Sequence, residues 1–190
     1  MYLFVGLGNP TPNSHDNRHN IGFKIIDAIN QKFSLSKQKP KFKGLLTTGN
    51  IDNKKVYAIK PLTFMNNSGI CIRELLEYFK MDAQNVFVFH DDLDIDFGKV
   101  KAKVGGTSAG HNGIKSIDKF IGTDYSRVRV GIGHPKEKKR VNSHVLEDFK
   151  DDEEEKINEI TENIVKQLPT LIEKKIDLFS SKVNQDLNGI

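Results

Sequence analysis

The stretch Tyr2-Leu3-Phe4-Val5-Gly6-Leu7-Gly8-Asn9-Pro10, followed by Arg18-His19-Asn20, decides how the rest of the chain is read. A short apolar run bounded by turn residues reads as a strand buried on both faces. Just beyond it, Ile21, Ile25, Ile26, Ile29 and Phe33 recur near one face of a helix. A buried strand passing into a helix points to an α/β fold, where ligands gather at the carboxyl ends of strands. Asn9 then lies on the loop leaving a strand, and His19 at the start of the next helix, both at one crevice.

The alternation continues outward. Leu45–Ile51 and Val56–Lys60 read as strands joined across Asp52-Asn53. They are too close for a parallel crossover, so the sheet is expected to be mixed. Lys37–Lys43 is basic, carries Pro40 and reads as a loop. Ile72, Leu75, Leu76 and Phe79 mark a helix beginning near Asn67-Ser68, and Val86–Phe89 is a short strand. Val100–Val104 reads as a half-exposed strand, Gly105–Gly110 as a flexible loop, and Ile114, Ile117 and Ile121 as a third helix. Val128–Ile132 reads as another strand and Pro135–Arg140 as a mobile basic loop. From Asp151 a polar helix carries Ile157, Ile160, Ile164, Leu168, Leu171 and Ile172, and Pro169 should kink or split it. The expected fold class is α/β: a single-domain α/β/α sandwich with a twisted mixed sheet over residues 1–190. Its motif-bearing core runs from about 3 to 149, with a helical C-terminal segment from about 151 to 180.

A chain of 190 residues suits one full core. The lone Cys71 allows no internal disulfide and fits a reducing, cytoplasmic setting. No apolar run approaches the ~18 residues of a membrane span, and no signal peptide is evident. Residues 1–150 carry 24 basic and 15 acidic side chains, whereas 151–190 carry 5 and 10. A basic body with an acidic tail suggests a polyanionic partner for the body.

Polar clusters follow the apolar strands. Imidazole titrates near neutrality, so His19 can act as a general base towards water. It needs a carboxylate on its other nitrogen, and Asp91 is the choice. Asn66 and Asn112 each offer a donor and an acceptor that can hold a carbonyl or a developing oxyanion. Both positions also suit helix caps. Lys101 and Lys103 share one strand face beside Gly105-Gly106, as a phosphate site would require; Arg127 and Arg129 repeat the alternation. Ser68 reads as a cap and Cys71 as a packed side chain. His90 with Asp91, Asp92, Asp94 and Asp96 forms an alternative, a divalent-metal cluster. Its spacing matches no recognised ligand pattern, and no metal site is assigned.

Taken in order, these clusters resemble bacterial-type peptidyl-tRNA hydrolase. The motifs are Gly6-Leu7-Gly8-Asn9-Pro10, Arg18-His19-Asn20-Ile21-Gly22, the run from Lys60 to Gly69, His90-Asp91-Asp92-Leu93-Asp94, Gly110–Ile117 and Arg127–Pro135, spanning Leu3 to Phe149. The resemblance implies hydrolysis of the ester joining a peptide to the 3′ end of tRNA, with His19 as base and Asp91 as its partner. By the same resemblance, Asn9 reads the peptide, and Phe64, Asn66 and Asn112 contact substrate. It also puts His111 in the cleft wall and sets Lys101, Lys103 and Arg129 against tRNA phosphate. It implies a cytoplasmic monomer with no cofactor, no metal, no membrane and no obligate protein partner. Between Pro10 and Arg18 the chain departs from the family pattern: Thr11, Ser14 and Asn17 stand where glycine, tyrosine and threonine are usual. Ser14 is therefore expected to touch substrate without the aromatic wall of a tyrosine. An RNA-binding protein without catalysis and a metal hydrolase built on His90 are the competing readings.

Overall fold

In the computed structural model, residues 1–187 are described. Seven strands, β1 (Tyr2–Gly6), β2 (Lys39–Lys41), β3 (Gly44–Ile51), β4 (Lys54–Pro61), β5 (Val86–Asp92), β6 (Val100–Val104) and β7 (Ser126–Gly131), form one sheet in the order β2-β3-β4-β1-β5-β7-β6. The centre, β4-β1-β5-β7, is parallel, and β2, β3 and β6 pair antiparallel at the two edges. The sheet is mixed, as the short β3–β4 connection requires.

Side-chain alternation along β1 and β5 divides the core into two layers. Phe4, Phe87 and Phe89 pack on α1 (Ile21–Lys32) and on α5 (Asp151–Lys166), α6 (Leu168–Ile172) and α7 (Ile176–Leu187). Leu3, Val5, Val86 and Val88 pack on α2 (Ser68–Phe79) and α3 (Asn112–Ile121). A central strand covered on both faces has no polar positions to spare, which is why β1 is apolar throughout. Cys71 is fully buried in the second layer, and burial pushes its thiol up to about 12, so it packs and does not react.

The acidic C-terminal segment covers the first layer and one sheet edge. Pro169 splits it as expected: α5 stops at Lys166, and α6 begins at Leu168 with proline in its first turn. On α7, Ser180 Oγ and Asn184 Oδ1 accept from the backbone N–H groups of Ala102 and Val100. These bonds occupy the open edge of β6, which would otherwise invite pairing with another chain. No described helix is long and apolar enough to cross a membrane.

Three expectations need correction. Lys39–Lys41 is not loop but β2, an edge strand on which a proline is tolerated. β5 runs on to Asp92, so His90 and Asp91 lie on the strand and not after it. Within Pro135–Arg140, read as loop, Lys138–Arg140 forms a single 3₁₀ turn that leads into a short helix, α4 (Val141–Leu146).

Candidate active site

His19 sits in a 3₁₀ turn, Arg18–Asn20, that leads directly into α1. Its height is set by how closely α1 approaches the sheet. A Cβ on Gly22 would lie 2.3 Å from Leu7 N and 2.5 Å from Phe89 O, so only glycine allows this contact. The approach brings His19 Nδ1 to 2.9 Å from both carboxylate oxygens of Asp91, a residue 72 positions away at the end of β5. Asp91 is 2% exposed.

Asp91 has a second partner. His111 Nε2 lies 2.9 Å from Asp91 Oδ1, while His111 Nδ1 accepts from the N–H groups of Gly113 and Ile114 at the start of α3. Because Nδ1 is the acceptor, the His111 proton is on Nε2 and is donated to Asp91. Burial works to raise the Asp91 carboxyl, but the His19 and His111 rings and their bonds hold it well below the usual carboxylate range. For His19, burial favours the neutral ring, and the charge and hydrogen bond of Asp91 outweigh it, so the net shift is upward. With Nδ1–H directed at Asp91, Nε2 is the basic atom, and among the described residues it has no hydrogen-bond partner. The arrangement can take a proton from a water molecule.

Two cavities meet at His19. One, of about 380 Å³, is lined by Asn9, Phe64, Met65, Asn66, Asn112 and α4 residues including Leu146. The other, of about 140 Å³, passes His90, Asp91, Leu93, His111 and the 108–110 loop. Asn9 Oδ1 accepts from Met65 N, and Asn9 exchanges two further bonds with the Asn20 side chain. Its carbonyl oxygen is thus committed, and its Nδ2 is the group left to the cleft. Phe64, 52% exposed, has φ +64° and ψ 159°, a conformation that costs a non-glycine residue about 1–3 kcal/mol and is usually kept where it serves a site.

The expected residues therefore divide. His19, Asp91, Asn9, Phe64, Asn66, His111 and Asn112 converge on the two cavities. Lys101, Lys103 and Arg129 converge on one another, since Lys101 pairs across the sheet with Arg129 and Lys103 with Arg127. This basic face adjoins the cleft through Arg129, 3.7 Å from Asp92. Arg127 is buried against Asp118 and Thr107 O and belongs to the framework. Ser14 does not reach these cavities: it is buried, and its hydroxyl is 2.6 Å from that of Thr11. Neither Asn66 nor Asn112 caps a helix; Asn67 and His111 hold those positions. Ser68 likewise lies inside α2, its hydroxyl donating to Met65 O.

The structure does not gather His90 with the neighbouring aspartates. His90 Nδ1 donates to the Asp91 backbone carbonyl, and Asp94 turns outward to His134. The one candidate metal cluster among the described residues is His19, Asp91 and His111, with ligand atoms within 4.8 Å of one another. Its two N–H groups are already spent on the carboxylate.

The sequence did not reveal the second histidine on Asp91, the role of Asn20 in setting Asn9, or the wall formed by Asn142, Val145 and Leu146 of α4. The first two stand inside quoted motifs, and their polar type was the available signal; α4 offered none.

Comparison with known proteins identifies the family. The family model described as peptidyl-tRNA hydrolase matches residues 3–189. A peptidyl-tRNA hydrolase from Pelagibacter ubique is 74% identical over 184 residues, covering 97% of this chain and 99% of the relative. One from Bartonella henselae is 46% identical over 189 residues, covering 100% and 98%. The crystal structure of the Acinetobacter baumannii peptidyl-tRNA hydrolase superposes with a TM-score of 0.91 at 32% identity, covering 97% of this chain and 94% of that one. This chain belongs to the peptidyl-tRNA hydrolase family.

Proposed function

We propose that this protein hydrolyses the ester between a peptide and the 3′ end of tRNA, freeing tRNA from peptides left by aborted translation. The observation that carries the reading is the His19–Asp91 pair, with Nε2 open to a cleft lined by four asparagines, Asn9, Asn66, Asn112 and Asn142. His19 Nε2 takes a proton from water as the oxygen attacks the ester carbonyl. An amide of Asn66 or Asn112 donates to the resulting oxyanion. As the tetrahedral intermediate collapses, the C–O bond to the ribose breaks and the imidazolium returns its proton to the leaving 3′ oxygen. Water is the only co-substrate. An ester leaves more readily than an amide. One base at roughly 10²–10⁴-fold and one oxyanion donor at about 10²–10³-fold therefore suffice without a covalent intermediate.

Asn9 Nδ2 donates to the carbonyl of the N-acyl group on a blocked residue, a group that an unblocked aminoacyl-tRNA lacks. Lys101, Lys103 and Arg129 supply cationic contacts for tRNA phosphates. The reading includes action as a monomer in the cytoplasm. The test is His19→Ala assayed on an N-acetylated aminoacyl-tRNA. Turnover is expected to fall by about 10³-fold or more, with tRNA affinity unchanged within a few-fold. Near-normal turnover in the variant would end the reading, and a wild type that binds tRNA without cleaving the ester would leave an RNA-binding protein.

A further inference from the structure

Asn9 also borders a second cavity, a trough of about 230 Å³ that shares this one residue with the cavity at His19. Pro10, Phe23, Leu45 and Leu62 make apolar walls, and Lys60 adds a cation. The Lys60 side chain is 11% exposed; its ammonium lies 2.6 Å from Asp27 Oδ1 and 5.7 Å from the Phe23 ring centroid. An ammonium has three donors, and Asp27 takes one.

The sheet order gives the trough its meaning. β6 and β7, at one edge, carry Lys101, Lys103 and Arg129. β5 carries Asp91 and the turn after β1 carries Asn9 in the middle, while β4, the residue just past it and β3 carry Lys60, Leu62 and Leu45 towards the other edge. A peptidyl-tRNA has the same linear order: polyanion, ester, peptide. With cations on one side of His19, the peptide leaves on the other, over walls that are mainly apolar.

We propose that this trough is the subsite for the peptide residue preceding the esterified one. Its side chain lies between Phe23, Leu45 and Leu62, and a backbone carbonyl accepts from Lys60 Nζ. This inference rests on the hydrolase reading above. It also gives the unusual loop a use, because Thr11, on its exposed side, lines the trough.

The test compares acetyl-glycyl-tRNA, acetyl-glycyl-glycyl-tRNA and acetyl-leucyl-glycyl-tRNA as substrates of the full chain. In the wild type KM is expected to fall stepwise along that series, by about tenfold for the leucine. Thr11→Trp fills the trough and is expected to erase the leucine gain while cleaving acetyl-glycyl-tRNA at the wild-type rate. Leu62→Trp fills the same space from β4's end should the first variant fail to fold. Lys60→Met is expected to erase the gain from the added peptide unit. Equal KM values in the wild type overturn the subsite, as does wild-type preference retained in either the folded trough-filling variant or Lys60→Met. Failure of the wild type to cleave acetyl-glycyl-tRNA overturns the hydrolase reading instead.

Discussion

His90, buried beside the His19–Asp91 pair, is held neutral. Burial first, then His111 and Arg127, pushes it down to about 3. An unfolded chain protonates the same ring near 6.5, so between those values the unfolded state binds the extra proton and stability falls as the pH is lowered. The slope is about 1.4 kcal/mol per pH unit. His19 has the opposite sign: its raised value adds stability that is complete below 6.5 and lost as pH rises through the folded value. Asp91, held low, adds stability above the ordinary carboxylate value and loses it only as pH falls through its folded value. The window from 6.5 to 4.5 therefore isolates His90 among these three. Urea unfolding across it should show the wild type weakening more steeply than His90→Gln, by about one proton's worth; parallel slopes would show that the ring is not held neutral.

Among the elements, α4 depends most on a single side chain. Arg18 is 3% exposed and donates to His144 O, Glu147 O and Glu153 Oε1, tying α4 and its exit to α5. Arg18→Met should cost about 3 kcal/mol and raise KM, because Val145 and Leu146 line the cleft. Thermal unfolding with steady-state kinetics checks both, and an unchanged KM would detach α4 from substrate binding. The dependence also explains why α4 was not legible. It is six residues long and buries none of them, so no apolar period marks it. β2 escaped for a related reason: its three residues are exposed, and only pairing with β3 makes them a strand. The elements that were legible, β1, β3 to β7 and helices α1 to α3 and α5, are those whose apolar residues enter a core layer. Within the site, His19 and Asp91 were legible from chemistry, since a base needs an orienting acid. The double use of His111 was not, because its tautomer is set by the N–H groups of α3 and by a carboxylate 20 residues away.

At the scale of the whole molecule, the topology turns two distant segments into one reagent. β1 pairs directly with β5 even though α1, β2, β3, β4 and α2 intervene in the chain, and that adjacency sets the turn after β1 beside Asp91. The same order lays out cations, base and trough along one rim. All of it serves the claim that Asp91 sets the basicity and direction of His19, and the pH dependence of kcat/KM on acetyl-aminoacyl-tRNA, wild type against Asp91→Asn, tests that claim most directly. In the wild type the rate should fall on acidification through one ionisation lying above 6.5. In Asp91→Asn that ionisation should move to lower pH, and the plateau should drop by about 10²-fold or more. Matching ionisations and plateaus in the two proteins would contradict it.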